Sequence, residues 1–157
     1  MRMLNKYSLF LLIFSVSHFS YAGLIEEFCE QQEGQMHKWY KCPKSKLYLR
    51  TNTCEFKNSY NEVEFSNGCS GPTGKYGKVF FSSCIEHDLC YHHEPFTNGY
   101  SQEHCDKKFY KSLEKACREK AVNIKACLRR AKVFYYALRL AGKPAFHCEN
   151  TYGRYEN

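Results

Sequence analysis

Cysteine is the residue type that most constrains how this chain can fold. The chain of 157 residues contains 10 cysteines, and all of them lie after residue 22. The preceding segment has a basic start at Arg2 and Lys6, an apolar centre over 9–14 and a Ser20-Tyr21-Ala22 end, which is typical of a secretory signal. An even number of cysteines after such a signal predicts five disulfides formed in an oxidising compartment.

The expected signal peptide covers residues 1–22, so the secreted, extracellular product would begin near Gly23. No later segment approaches the roughly 18 consecutive apolar residues that indicate a membrane-spanning helix. The formal net charge is +7, and it stays positive when Arg2 and Lys6 are removed. A positive surface favours anionic partners such as lipid head groups, and the export signal argues against nucleic acid.

Residues 23–157 are expected to form a single domain with three parts. The first, 23–59, is an N-terminal extension that contains three cysteines and a strand-like stretch at 46–50. The second, 60–142, is a core with a glycine-rich loop over 66–77, followed by apolar periodicity that predicts three helices. The third, 143–157, is a tail. The predicted helices cover 80–93, 101–121 and 123–141.

The second predicted helix carries a carboxylate at the head of an apolar stripe. Asp106 is followed by Phe109, Leu113 and Cys117 at steps of three, four and four residues, which places all four side chains on one face. An acid on a buried face needs a partner, because burying an unpaired charge is costly.

The third predicted helix is basic. Two interpretations stay open for its cations: a solvated face, or a face that binds a membrane surface. The cations concerned are Arg129, Arg130, Lys132 and Arg139.

The most informative stretch runs from Cys84 to Tyr91, with the sequence Cys-Ile-Glu-His-Asp-Leu-Cys-Tyr. On a helix, His87 and Tyr91 lie one turn apart on the same face and Asp88 lies beside them. One helix can therefore present a base and a carboxylate to the same cleft. A His-Asp pair alone is a weak signal, but here it stands within a frame of cysteines and follows a glycine-rich loop.

This frame resembles the secreted phospholipase A2 superfamily. In that superfamily a helical C-x-x-H-D-x-C-Y run follows a glycine-containing calcium loop and precedes a Cys-Asp pair on the next helix. The matching elements here are 84–91, 67–72 and Cys105-Asp106. The short Asn-x-Cys loop is more similar to the conodipines and to bacterial and fungal phospholipases A2 than to the pancreatic or snake-venom types. The resemblance extends over residues 60–142.

The resemblance implies an enzyme that hydrolyses the sn-2 acyl ester of phospholipids at a membrane or micelle surface, releasing fatty acid and lysophospholipid. His87 would be the general base, Asp106 would orient its ring, and Tyr91 would support the pair. Ca²⁺ would be the cofactor, held by Asp88 and by the side chain of Asn67 and the carbonyl of Gly68.

One departure from the relatives concerns calcium affinity. Asn67 stands where the bacterial enzymes have an aspartate, so the expected site has one negative charge fewer. Calcium should therefore bind less tightly than it does to a site with two carboxylates.

The resemblance also implies the fold: mainly α, a small secreted domain stapled by disulfides. It would have a pair of catalytic helices, a glycine-containing calcium loop, a third basic helix and the Cys-containing N-terminal subregion. The implied disulfides are Cys69–Cys84, Cys90–Cys105 and Cys117–Cys127. Four cysteines then remain with three possible pairings, namely Cys29, Cys42, Cys54 and Cys148.

Two other interpretations compete with the enzyme. A zinc site could use His87, Cys90, His92 and His93, although Cys90 has a better use as a disulfide partner in an exported protein. A catalytically inactive phospholipase-like scaffold could act as a toxin or receptor ligand. The joint presence of a base, a metal carboxylate and a supporting acid favours the enzyme.

Overall fold

The computed structural model describes residues 22–41, 48–92, 99–143, 145–146 and 155–156. We number the helices and strands in chain order. They are α1 (Ala22–Gln31), β1 (Gln35–Lys41), β2 (Tyr48–Lys57), β3 (Val63–Ser66), a 3₁₀ turn (Gly74–Tyr76), α2 (Gly77–His92), α3 (Gln102–Lys120), α4 (Ile124–Ala141) and β4 (Tyr155–Glu156). The described part of the chain is therefore mainly helical with a small sheet.

Helices α2, α3 and α4 correspond to the three predicted helices. Helix α2 begins three residues before the predicted start, because a 3₁₀ turn over Gly74–Tyr76 leads directly into it; residue 93, its predicted end, lies outside the described residues. The starts of α3 and α4 are fixed by N-caps: the Ser101 side chain accepts from the His104 N–H, and Asn123 accepts from the Ala126 N–H. Such caps typically stabilise a helix by about 1 kcal/mol each.

The apolar stripe of α3 forms the centre of the core. Phe109, Leu113 and Cys117 are all buried, as is Asp106 at the head of the stripe. They pack with side chains of α2 and α4, including Phe80 and Phe134. The predicted buried face of this helix is confirmed.

Four disulfides join the described elements, and no cysteine among the described residues is free. Three of the bonds are those that the resemblance implied, while the fourth selects a pair from the cysteines left open; its partners are Cys29 and Cys54. Cys42 and Cys148 lie outside the described residues, so the fifth expected bond stays a prediction. In the chain-entropy model, closing a loop of about 15 residues stabilises a fold by roughly 3 kcal/mol.

The N-terminal subregion contains more regular structure than its sequence pattern predicted. Strands β1, β2 and β3 form an antiparallel sheet in that order, and β4 also pairs with β2. The strand-like stretch over 46–50 overlaps the start of β2, although 46–47 lie outside the described residues. Helix α1 was not anticipated.

This subregion supports the helix that carries His87. Ile25 of α1 and Phe56 of β2 are buried in one cluster with Ile85 of α2. Strand β3 ends at Ser66, so the sheet fixes the start of the glycine-rich loop. Within the described ranges, none of the helices combines the length and hydropathy needed to cross a bilayer.

Candidate active site

Helices α2 and α3 bring His87 and Asp106 together. The two helices are tied by the Cys90–Cys105 disulfide, and His87 Nε2 lies 3.0 Å from Asp106 Oδ1. The His87 side chain is 7% exposed and that of Asp106 is fully buried. Because an ionised carboxylate only accepts hydrogen bonds, Nε2 carries the proton and Nδ1 is left as the basic nitrogen.

Two further side chains donate to Asp106. The Tyr91 hydroxyl donates to Oδ1 at 2.7 Å, and Arg139 Nη1 donates to Oδ2 at 2.8 Å. Burial alone would raise the pKa of Asp106, but the hydrogen bonds from His87, Tyr91 and Arg139 together hold this pKa below its ordinary value. The carboxylate is therefore charged when the histidine is neutral.

The His87 ring is held between two aromatic rings. Its centroid lies 4.0 Å from that of Tyr91 and 4.5 Å from that of Phe109. Burial lowers the pKa of His87, while its hydrogen bond and attraction to Asp106 act in the opposite direction. The net effect favours the neutral ring, which is the form that can accept a proton.

Asp88 points from α2 toward the glycine-rich loop. Its Oδ2 atom accepts from the Ser66 hydroxyl at 2.7 Å and from the backbone N–H groups of Asn67 and Gly68, both at 2.9 Å. Gly68 has a φ of 70°, a conformation that glycine adopts without strain. Burial raises the pKa of Asp88 to about 7, and the three hydrogen bonds oppose that rise.

The side-chain amide of Asn67 lies beside the Asp88 carboxylate and the Gly68 carbonyl oxygen. One terminal atom of the amide lies 3.1 Å from Asp88 Oδ2 and 3.2 Å from the Gly68 carbonyl oxygen, while the other lies 3.3 Å from Thr51 Oγ1. With its nitrogen toward Asp88, the amide donates to both acceptors. With its oxygen there, three oxygens converge without a proton between them, which is the arrangement that a hard cation requires.

The donor set suits calcium better than zinc. The described residues contain no group of three or more His, Cys, Asp or Glu side chains that could hold a metal. An ion beside Asp88 would therefore depend on the amide and carbonyl oxygens, which are ligands that calcium accepts. For the zinc alternative, Cys90 is bonded to Cys105, whereas the His92 side chain and His93 lie outside the described residues.

A cavity of about 220 Å³ opens beside His87 and Asp88. The loop and α4 come very close at one side of it, since a Cβ on Gly71 would lie 1.9 Å from a ring carbon of Phe134. Most of the remaining wall is apolar and comes from α3 and α4; it includes Phe109, Phe134, Ala137, Leu138 and Ala141. His87 and Asp88 thus share one cleft with a largely apolar wall.

Six residues that the sequence pattern suggested for the site meet here, namely Asn67, Gly68, His87, Asp88, Tyr91 and Asp106. Two residues that contact them were not anticipated. Ser66 was not considered, and it donates to Asp88. Arg139 was grouped with the cations of the basic helix, whereas in the structure its guanidinium pairs with the buried Asp106. No local pattern marks either residue, because their partners lie 22 and 33 positions away.

Comparison with known proteins gives one partial similarity. Conodipine-P3 from Conus purpurascens is 40% identical to this chain over 71 residues, which is 45% of this chain and 39% of that protein. The chain therefore spans about two fifths of the length of the curated relative that it matches. No protein-family model and no solved structure matches.

Proposed function

We propose that this chain is a secreted, calcium-dependent phospholipase A2. The observation that carries the proposal is that His87, hydrogen-bonded to Asp106, lines a largely apolar cleft together with Asp88 and its neighbouring oxygen atoms. The partial similarity to a conodipine supports it, as does the motif order along the chain.

His87 would act as the general base. Its Nδ1 atom would take a proton from a water molecule as that water attacks the ester carbonyl, and would return the proton to the departing alcohol. Asp106 would stabilise the ring while it is charged, since its Oδ1 atom already accepts from Nε2. Tyr91 would keep Asp106 in place through its own hydrogen bond to that oxygen.

Calcium would be held by Asp88, the Gly68 carbonyl and the Asn67 amide oxygen. When bound there, the ion would polarise the ester carbonyl and offset the negative charge that develops on it. The same ion would relieve the cost of burying the Asp88 charge, which is what raises the pKa of this group.

The apolar wall would bind the acyl chain. Phe109, Phe134 and Leu138 are apolar side chains, so this wall suits an acyl chain better than a charged head group. Burying apolar surface contributes about 25 cal/mol per Å², so an acyl chain would be held along this wall. Its ester would then lie near His87, which lines the same cleft.

The test is hydrolysis of a phospholipid that carries different acyl chains at sn-1 and sn-2. The expected result is release of the sn-2 fatty acid alone in the presence of calcium. Release of the sn-1 chain would contradict the positional assignment. A folded protein that releases neither chain from zwitterionic or anionic phospholipids would favour the inactive scaffold.

A further inference from the structure

We infer that Arg139 is a positioning residue of this site, one that keeps the Asp106 carboxylate oriented and charged so that Asp106 can hold the His87 ring. The inference rests on the proposed function for its kinetic consequences. The contacts behind it involve no substrate. They bring in α4, whereas His87 and Asp106 lie on α2 and α3.

The two oxygens of Asp106 are served by different helices. Oδ1 accepts from His87 and Tyr91, both on α2, whereas Oδ2 accepts from Arg139 on α4. Among the residues that the structure describes, only Arg139 donates a hydrogen bond to Oδ2 of Asp106. Because Asp106 is fully buried, water cannot replace this donor without a rearrangement.

Removing such a donor leaves half of a buried carboxylate unsatisfied. A buried acceptor without a donor costs more when it carries charge, and the carboxylate can lower this cost by rotating or by taking a proton. Rotation would misdirect the bond to His87 Nε2. Protonation would remove the charge that stabilises the charged His87 ring. Either response would weaken the base through Asp106.

Arg139 is well suited to this role because its own position is fixed by α4. Its side chain is 32% exposed, so part of the guanidinium remains hydrated while Nη1 reaches Asp106. The preceding residue, Leu138, lines the cleft. The ion pair therefore connects the apolar wall and the His-Asp pair in one structural unit across three helices.

The test uses a short-chain phospholipid below its micelle concentration, with saturating calcium, so that membrane binding does not contribute. Arg139→Gln should lower kcat by about 10- to 100-fold with KM changed less than about twofold, as for partners that orient functional histidines in metal sites. Arg139→Lys should recover part of the loss, because an ammonium can donate one charged hydrogen bond. Arg118→Gln removes an exposed arginine from α3 and should match the wild type.

A double-mutant comparison tests whether Arg139 acts through Asp106. In an Asp106→Asn background, Arg139→Gln should cost little more, because the residues that act as one unit are not additive. An undiminished loss in that background, or a Lys variant as impaired as the Gln variant, would overturn the inference.

A measurement without substrate separates this inference from the proposed function. Nitrogen NMR of the His87 ring should find one tautomer, with the proton on Nε2, in the wild type and a mixture in Arg139→Gln. A wild type without phospholipase activity would refute the proposed function, and the tautomer result alone would then decide the role of Arg139. An Arg139→Gln protein with the wild-type tautomer and kcat would contradict the inference.

Discussion

His87 combines a buried ring, a fixed tautomer and a place at the cleft, so we expect the largest single loss of activity when it is replaced. His87→Gln keeps a polar side chain but cannot take and return a proton, and hydrolysis should fall by at least ~10²–10⁴-fold. Asp106→Asn should do less harm, because the base remains. Steady-state rates on vesicles measure both, with calcium binding and circular dichroism as controls for folding. The reverse ordering would argue against His87 as the base.

Asn67 determines the charge of the proposed calcium site. Asn67→Asp should bind calcium more tightly, because a second carboxylate would replace the amide oxygen near Asp88. Without calcium the variant should be less stable than the wild type, since two carboxylates would then face each other. Calorimetric titration and thermal unfolding with and without calcium test this, with Asn61→Asp on an exposed turn as the matched control. Unchanged calcium affinity would place the ion elsewhere.

At the level of single residues, local motifs were informative and long-range partners were not. Helical spacing alone places His87, Asp88 and Tyr91 close together on α2. The apolar stripe of α3 likewise places Asp106 on the buried face of that helix. Arg139 could not be predicted, because nothing in a run of basic residues indicates which one reaches a buried acid on another helix.

Helices α3 and α4 were predicted well because their apolar periodicity is clear and polar caps mark their starts. The sheet was not predicted. In β2 the adjacent residues Thr53 and Cys54 are both buried, so the strand lacks the alternation that identifies a half-exposed strand. The sheet also depends on pairing between segments, which composition does not reveal.

Helix α4 presents an outer face on which we expect binding to anionic membranes. Val133, Tyr136 and Leu140 are exposed at helical spacing, and Leu140 is 88% exposed. Lys132 lies 6.0 Å from the centre of the Tyr136 ring. Leu140→Ser and Lys132→Gln should each weaken sedimentation with anionic vesicles, without changing hydrolysis of a monomeric substrate.

The same binding should depend on salt. Raising the ionic strength to 1 M shortens the Debye length to about 3 Å, so the electrostatic part of the attraction should be largely lost. Equal binding to neutral and anionic vesicles at low salt would contradict an electrostatic role for this face.

In the whole molecule, the N-terminal subregion supports the helix that carries His87 and Asp88. Ile25 and Phe56 pack against Ile85 of α2, and the Cys29–Cys54 bond joins α1 to the sheet. Replacing both cysteines by serine should reduce the free energy of unfolding by about 3 kcal/mol. Calcium affinity should also fall, because the sheet positions the loop. Urea unfolding and calcium titration measure the two effects, and unchanged values would mean that the bond is dispensable.

Calcium beside Asp88 is expected to be required for hydrolysis of phospholipid by this chain. Fatty acid release from mixed phospholipid vesicles tests this for the wild type and for Asp88→Asn, with calcium and with excess chelator. We predict that the wild type is active with calcium and inactive in chelator, with activity restored on adding calcium back. Asp88→Asn should remain folded, bind calcium poorly and be inactive in both conditions. Full activity of the wild type in excess chelator would mean that hydrolysis does not require calcium.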